Sequence, residues 1–75
     1  MLQDYVYQAL EMNPDGSVSL ICHEGRFQAF DLESAVVTGQ ALLEVIPTAD
    51  ACNELCVLDV LGRVLWSGPI MAEQL

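Results

Sequence analysis

Two four-residue turn signals, one in each half of the chain, constrain the fold more than any other feature of this sequence. Asn13-Pro14-Asp15-Gly16 carries Asn, Pro and Gly where a type I turn closed by a left-handed glycine prefers them, and Asp59-Val60-Leu61-Gly62 repeats the pattern with Asp first. Strand-like runs flank both turns, at residues 5–10, 17–22, 55–59 and 63–67. The sequence therefore predicts two β-hairpins.

The segment between these hairpins predicts a third strand and a helix. Glu24-Gly25 allows a two-residue turn, which would start a strand over residues 27–30. Asp31 is a good helix N-cap and Gly39 a natural helix stop. This favours a short helix near residues 32–38, followed by a strand over residues 41–46 that Pro47 ends.

The alternative for this segment is one longer helix through to Ile46. Gly39 inside that helix would cost about 1 kcal/mol, and the run Val36-Val37-Thr38 consists of poor helix formers. Its apolar stripe would be Leu32, Ala35, Val36, Leu43 and Ile46.

These elements predict one compact α+β domain over residues 1–75. We expect a small, mainly antiparallel sheet or a partly open barrel of about six short strands, in the order β-β-β-α-β-β-β, with one short helix. We expect residues 71–75 to fray. A chain of this length builds one thin core at most, because small domains bury a smaller fraction of their surface than large ones.

The charge balance excludes several classes of partner. Eleven acidic residues against two arginines and no lysine give a formal net charge of −9. Such a chain has no basic face for nucleic-acid phosphates, and an anionic membrane surface would repel it. Because 53% of the residues are hydrophobic, we expect a folded chain rather than a disordered acidic one.

The location predicted from the sequence is cytoplasmic. Residues 1–8 contain no basic segment of the kind that begins a signal peptide, and no run approaches the roughly 18 apolar residues of a membrane span. The three cysteines are an odd number, which favours a reducing compartment when no export signal is visible.

The cysteines and the single histidine could in principle form a metal site or a nucleophilic pair. Cys52 and Cys56 are four residues apart, but Cys22 and His23 are neighbours in an alternating strand and should point to opposite faces. We therefore expect structural cysteines, with no metal and no cofactor. A thiol–histidine pair needs a pocket and an orienting group, and the dispersed carboxylates form no acid–base pair, so we expect no enzyme and no catalytic residues.

The apolar excess points instead to binding. One sheet with one helix covers only one face, so either the sheet curls to bury both faces or large side chains stay exposed. We expect Trp66, Tyr5 and Tyr7 to be apolar anchors for a partner protein, and Asp50, Glu54 and Asp59 to face its basic residues. The predicted function is a small acidic, non-catalytic module that occludes or inhibits a basic partner, with nucleic-acid-handling proteins as one class of such partners. The alternative is an obligate homodimer or assembly subunit.

Two likenesses accompany this prediction. In size and acidity the chain is similar to small phage-encoded inhibitors of host or defence proteins, which implies an inhibitory function without any shared motif. The segment Val57 to Val64 resembles hairpins of many β-rich domains, including bacterial secretion-sorting domains. Turn chemistry alone accounts for that hairpin, so it implies no function.

Overall fold

The fold is one antiparallel sheet with a helix packed on one face. The computed structural model describes residues 1–45 and 52–70, with side chains for residues 1–43 and 52–70. The elements are β1 (Gln3–Met12), β2 (Val18–Ala29), α1 (Leu32–Val45), β3 (Glu54–Leu58) and β4 (Val64–Pro69). The strands lie in the order β2-β1-β3-β4. The prediction of an α+β fold with an antiparallel sheet is confirmed, whereas six strands is wrong: the described residues form four strands in an open sheet.

Both predicted hairpin turns are confirmed. The amide of Gly16 donates to the carbonyl of Asn13 at 2.9 Å, and the amide of Gly62 donates to that of Asp59 at 3.0 Å. Both glycines have φ near +90° (92° and 91°), the left-handed conformation that residues with a Cβ rarely adopt. These two positions therefore require glycine for its backbone freedom.

The turn predicted at Glu24-Gly25 is wrong, because β2 runs straight through it. Gly25 pairs with Tyr7 on β1. A Cβ at Gly25 would lie 2.7 Å from Cε1 of the Tyr7 ring. Glycine is needed here for the close approach of an aromatic ring, so the predicted second and third strands are one long strand.

The helix is the longer of the two alternatives. Its N-cap is confirmed: the amide of Ser34 donates to Oδ1 of Asp31 at 2.8 Å. The helix continues through Gly39 to Val45, so the bounds 32–38 and the strand over residues 41–45 are wrong. A Cβ at Gly39 would lie 3.4 Å from Cδ2 of Leu55, which shows how closely the helix backbone approaches β3. Burial against the sheet compensates for the low helix propensity of this segment. Ile46 lies outside the described residues.

The core lies between α1 and the sheet face that it covers. Two of the small core residues are Ala35 on the helix and Ala9 on β1, both fully buried. Small side chains at these positions let the helix lie close to Leu55 and Val57, whose burial stabilises the fold by roughly 1.5–3 kcal/mol each. The two clusters on this face are Tyr5, Ala29, Ala35 and Val57, and Tyr7, Ala9, Leu43 and Leu55.

A β-bulge places Cys22 within reach of Cys52. Between the pair Ala9↔His23 and the next pair, Leu10↔Ile21, the register moves by one residue on β1 and by two on β2. Cys22 is therefore the extra residue of the bulge. It is joined to Cys52 by a disulfide with a Cα–Cα distance of 6.3 Å. The strict alternation assumed from the sequence does not hold at a bulge, and the pairing was therefore not predictable from the spacing of the cysteines.

Candidate functional site

The two tyrosines expected to contact a partner lie in the core. Tyr5 is 5% exposed and Tyr7 is 4% exposed, both on the face covered by α1. The Tyr5 ring stacks on Phe27, and the Tyr7 hydroxyl is 3.0 Å from Nδ1 of His23. Burial raises the pKa of Tyr7. In this arrangement both rings hold the sheet and helix together and present no surface to a partner.

Trp66 is only half-buried and stands at the edge of the helix layer. It lies on β4 opposite Val57, on the face that α1 covers. With Leu32, Val36 and Val37 it lines a shallow cavity of about 370 Å³. Of the three predicted apolar anchors, Trp66 is the one that retains exposed surface.

Asp59 is held by its own hairpin. Its Oδ1 accepts from the backbone amides of Leu61 and Arg63, each at 2.9 Å, and its Oδ2 accepts from Nε of Arg63 at 2.7 Å. The hydrogen bond from the Arg63 amide is the largest cause that lowers the pKa of Asp59 below its ordinary value. The carboxylate closes the β3–β4 turn and is already neutralised by an arginine. Asp50, another of the predicted acidic contacts, lies outside the described residues.

A second apolar surface lies on the opposite side of the sheet from α1. We call this side the outer face. Side chains alternate along a strand, so residues next to the buried tyrosines and Leu55 point to it. Leu10, Cys56 and Leu58 form a buried cluster there, with Val6 and Met12 packed against it. The register aligns three rows across the outer face in the order β2, β1, β3, β4: Arg26, Val6, Leu58 and Val64; Glu24, Gln8, Cys56 and Ser67; Ile21, Leu10, Glu54 and Pro69.

The apolar part of the outer face extends to exposed side chains on both edge strands. Ile21 on β2 is 49% exposed and Val64 on β4 is 58% exposed. This face also has a groove of about 500 Å³, bordered by β2 on one side and the β3–β4 turn on the other. Its lining is Val6, Gln8, Glu24, Gly25, Arg26, Leu58, Asp59, Val60 and Gly62.

The charges around the outer face are mainly negative. Asp4, Glu24 and Glu54 point to this face, whereas Arg26 is its one arginine among the described residues. Glu54 is thus the predicted acidic residue that the fold brings beside the apolar cluster. Burial, with a smaller contribution from the charge of Glu54, raises the pKa of the Cys56 thiol, which keeps it protonated.

The sequence contained a signal for the outer face that the choice of Tyr5 and Tyr7 missed. Leu55 to Leu58 is a continuous apolar run, the pattern of a strand that needs burial on both faces. Val6 and Leu10 alternate with the tyrosines on β1, so burying the tyrosines turns these aliphatic residues outward. Only the position of the helix decides which of the two faces becomes the core.

No group of three or more metal-ligating side chains occurs within residues 1–45 and 52–70. In the same ranges, no helix is both long and apolar enough to cross a membrane. Comparisons of the chain with protein-family models, with curated proteins and with solved structures found no match.

Proposed function

We propose that the protein is a non-catalytic binding module whose outer face covers an apolar and basic surface of a partner protein, and thereby occludes or inhibits it. The observation that carries this proposal is the pair of exposed aliphatic side chains on the outer face, Ile21 and Val64, on either side of the buried cluster of Leu10, Cys56 and Leu58. Exposed apolar side chains beside a polar border are typical of protein-binding sites.

Electrostatics give the proposed partner its basic character. The carboxylates of Asp4, Glu24 and Glu54 border the cluster, and the whole chain carries a formal charge of −9. Charge complementarity would accelerate encounter with a basic protein, while the apolar centre would set the rate of dissociation. A nucleic-acid-handling protein is one class with such a surface, and occlusion of it is how a small phage-type inhibitor would act.

The states of the thiols and the histidine support a non-catalytic role. The buried Cys56 has a raised pKa, and in the disulfide form Cys22 carries no thiol. The His23 ring is stacked on Tyr7 with a centroid distance of 5.7 Å and shares a hydrogen bond with its hydroxyl. These groups are engaged in structure in this arrangement, and the proposal assigns them no metal or cofactor.

A cytoplasmic location stays a prediction, and the disulfide makes it a testable one. Disulfides are rare in reducing compartments. In the cytoplasm, Cys22 and Cys52 are therefore expected as two thiols, which mass spectrometry after rapid alkylation of cells would detect.

The proposal is tested with one pair of matched variants. Val64→Asp places a charge on the outer face, whereas Val37→Asp places the same charge on the exposed side of α1; the two valines are 58% and 65% exposed. The partner is captured from a source-cell lysate, identified by mass spectrometry and purified. Its binding should be lost with Val64→Asp and retained with Val37→Asp.

Thermal unfolding must show that both variants are folded before their binding is compared. Binding should also weaken as ionic strength rises, because exposed charge pairs are screened by salt. Equal binding by both variants, or binding only to an acidic partner, would refute the proposed use of the outer face.

A further inference from the structure

We propose that β2 pairs with β2 of a second copy of this chain, in an antiparallel register centred on Gly25, to form a continuous eight-stranded sheet. The surface is the outer edge of β2 and the occupant is another molecule of the same protein. The inference does not rest on the proposed function, because strand pairing uses the backbone edge of β2, although the side chains of Glu24 and Arg26 also lie on the outer face.

The edge of β2 is long and regular enough to accept a strand. In the sheet of the described residues, β2 has one neighbour, β1. Its bulges lie toward the first hairpin turn, at Cys22 and Ser19, so residues 23–29 form an uninterrupted ladder with β1. An edge strand carries unpaired backbone donors and acceptors that can pair with another chain. Natural edges are commonly blocked by lysine or proline, and β2 contains neither.

The other edge strand is guarded by contrast. β4 has six residues, ends at Pro69 and contains a bulge at Leu65. Nε2 of Gln40 on α1 also donates to the carbonyl of Pro69 at 3.2 Å. These features are common devices against edge-to-edge pairing, and they leave β2 as the edge open to a second copy.

The charges on β2 select one register. Glu24 and Arg26 flank Gly25, and both side chains are exposed. In a two-fold pair centred on Gly25, Glu24 of each copy lies opposite Arg26 of the other, which makes two attractive cross-strand pairs. Centring the pair on Glu24 or on Arg26 would instead place like charges opposite each other, which is destabilising.

Arg26 is available for such a pair. It is one of two arginines in the chain, and the other, Arg63, is bound to Asp59. Arg26 forms no ion pair with any residue in the described ranges. A second copy supplies a carboxylate at the matching position, and a two-fold interface of this kind uses the same patch on both molecules.

The proposed pair has a consequence for the outer face. Because Gly25 lies opposite its own equivalent, paired residues share the same side of the sheet in both copies. Both helices then lie on one side, and the two outer faces join at the shared β2 edge into one surface.

Single charge reversals test the register. In Glu24→Arg all four central side chains are basic, and in Arg26→Glu all four are acidic. Each should raise the dissociation constant of the dimer roughly tenfold or more, because two cross-strand pairs change from attraction to repulsion. The natural protein should sediment at twice the 8.2 kDa chain mass at high concentration. An equimolar mixture of the two variants should regain the dimer, since each then meets its complement.

Glu33→Arg on the exposed surface of α1 is the matched control, since it makes the same change in net charge as Glu24→Arg away from the strand edge. It should leave the dimer intact or strengthen it. If Glu24→Arg strengthened the dimer as well, net charge alone would govern association, and the proposed register would be overturned. Two outcomes would overturn the dimer. In one, the natural chain remains at 8.2 kDa at its highest soluble concentration; in the other, the mixture stays monomeric although circular dichroism shows both variants folded.

Discussion

At the scale of single residues, glycine has two separate functions in this fold. Gly16 and Gly62 supply the left-handed conformation that closes a hairpin, whereas Gly25 makes room for a neighbouring ring. Sequence patterns distinguish these functions poorly, because glycine in a strand or helix resembles a break. The ring that fills the space at Gly25 belongs to Tyr7, a residue 18 positions away that only the strand register brings opposite.

Alanine at Gly39 and alanine at Gly25 should have opposite effects on the free energy of unfolding. Gly39→Ala should raise it by up to about 1 kcal/mol, because alanine favours the helix and the added Cβ makes an ordinary contact with Leu55 at 3.4 Å. Gly25→Ala should lower it by about 1–3 kcal/mol, because the Cβ would overlap the buried Tyr7 ring. Urea unfolding measures both, and a neutral Gly25→Ala would contradict the close approach.

Asp59 should make the stability of the second hairpin depend on acid pH. Hydrogen bonds, led by that from the Arg63 amide, lower the folded-state pKa of Asp59. The stabilisation is therefore complete above the ordinary aspartate pKa and is lost as pH falls through the lowered one. Asp59→Asn should flatten the dependence of the melting temperature on pH in this acid range. Asp15→Asn is the comparison in the first hairpin, since hydrogen bonds from Ser17 lower the pKa of Asp15. If the pH profile of the melting temperature for Asp59→Asn equalled that of the natural protein, this would contradict the argument.

At the scale of elements, the boundaries predicted correctly are those that depend on residues close together in the sequence. The two hairpins and the Asp31 cap follow from hydrogen bonds within a few residues, and all three are confirmed. The extension of α1 past Gly39 and of β2 past Gly25 depends on contacts with β3 and β1, which come from distant parts of the chain. Of the candidate site, Glu54 was predicted, but the aliphatic cluster of the outer face was not, because the side of the sheet that the helix covers is a tertiary property.

The disulfide joins the bulge of β2 to the chain just before β3, and reducing it should destabilise the fold. It closes a loop of 30 residues, for which about 2–4 kcal/mol is typical. The free energies of unfolding measured with and without reductant should differ by this amount in the natural protein. The difference should vanish in a Cys22→Ala, Cys52→Ala double variant and persist in Cys56→Ala, since Cys56 is the free cysteine. A natural protein whose midpoint ignores reductant would contradict a stabilising disulfide.

At the scale of the whole molecule, the apolar content and the negative charge act in opposite directions. Aliphatic side chains occupy both faces of a single sheet, and the helix covers only one of them. Exposed aliphatic side chains such as Ile21 and Val64 promote association, whereas a charge of −9 on a small chain keeps identical copies apart. Two attractive pairs at β2 and an apolar centre on the outer face each offer a local way to overcome that repulsion.

Sodium chloride should therefore shift self-association and partner binding in opposite directions. Screening weakens the two exposed Glu24–Arg26 pairs, but it also reduces the repulsion between two copies that each carry a charge of −9. Because single exposed ion pairs contribute little, the dimer should tighten as salt rises. The same screening removes the attraction between the acidic border of the outer face and a basic partner, so that complex should weaken. Sedimentation of the pure chain and titration with the purified partner, in the same salt series, measure the two constants. Partner binding that tightens with salt would mean that apolar contact alone drives it, and would leave Asp4, Glu24 and Glu54 without a role in recognition.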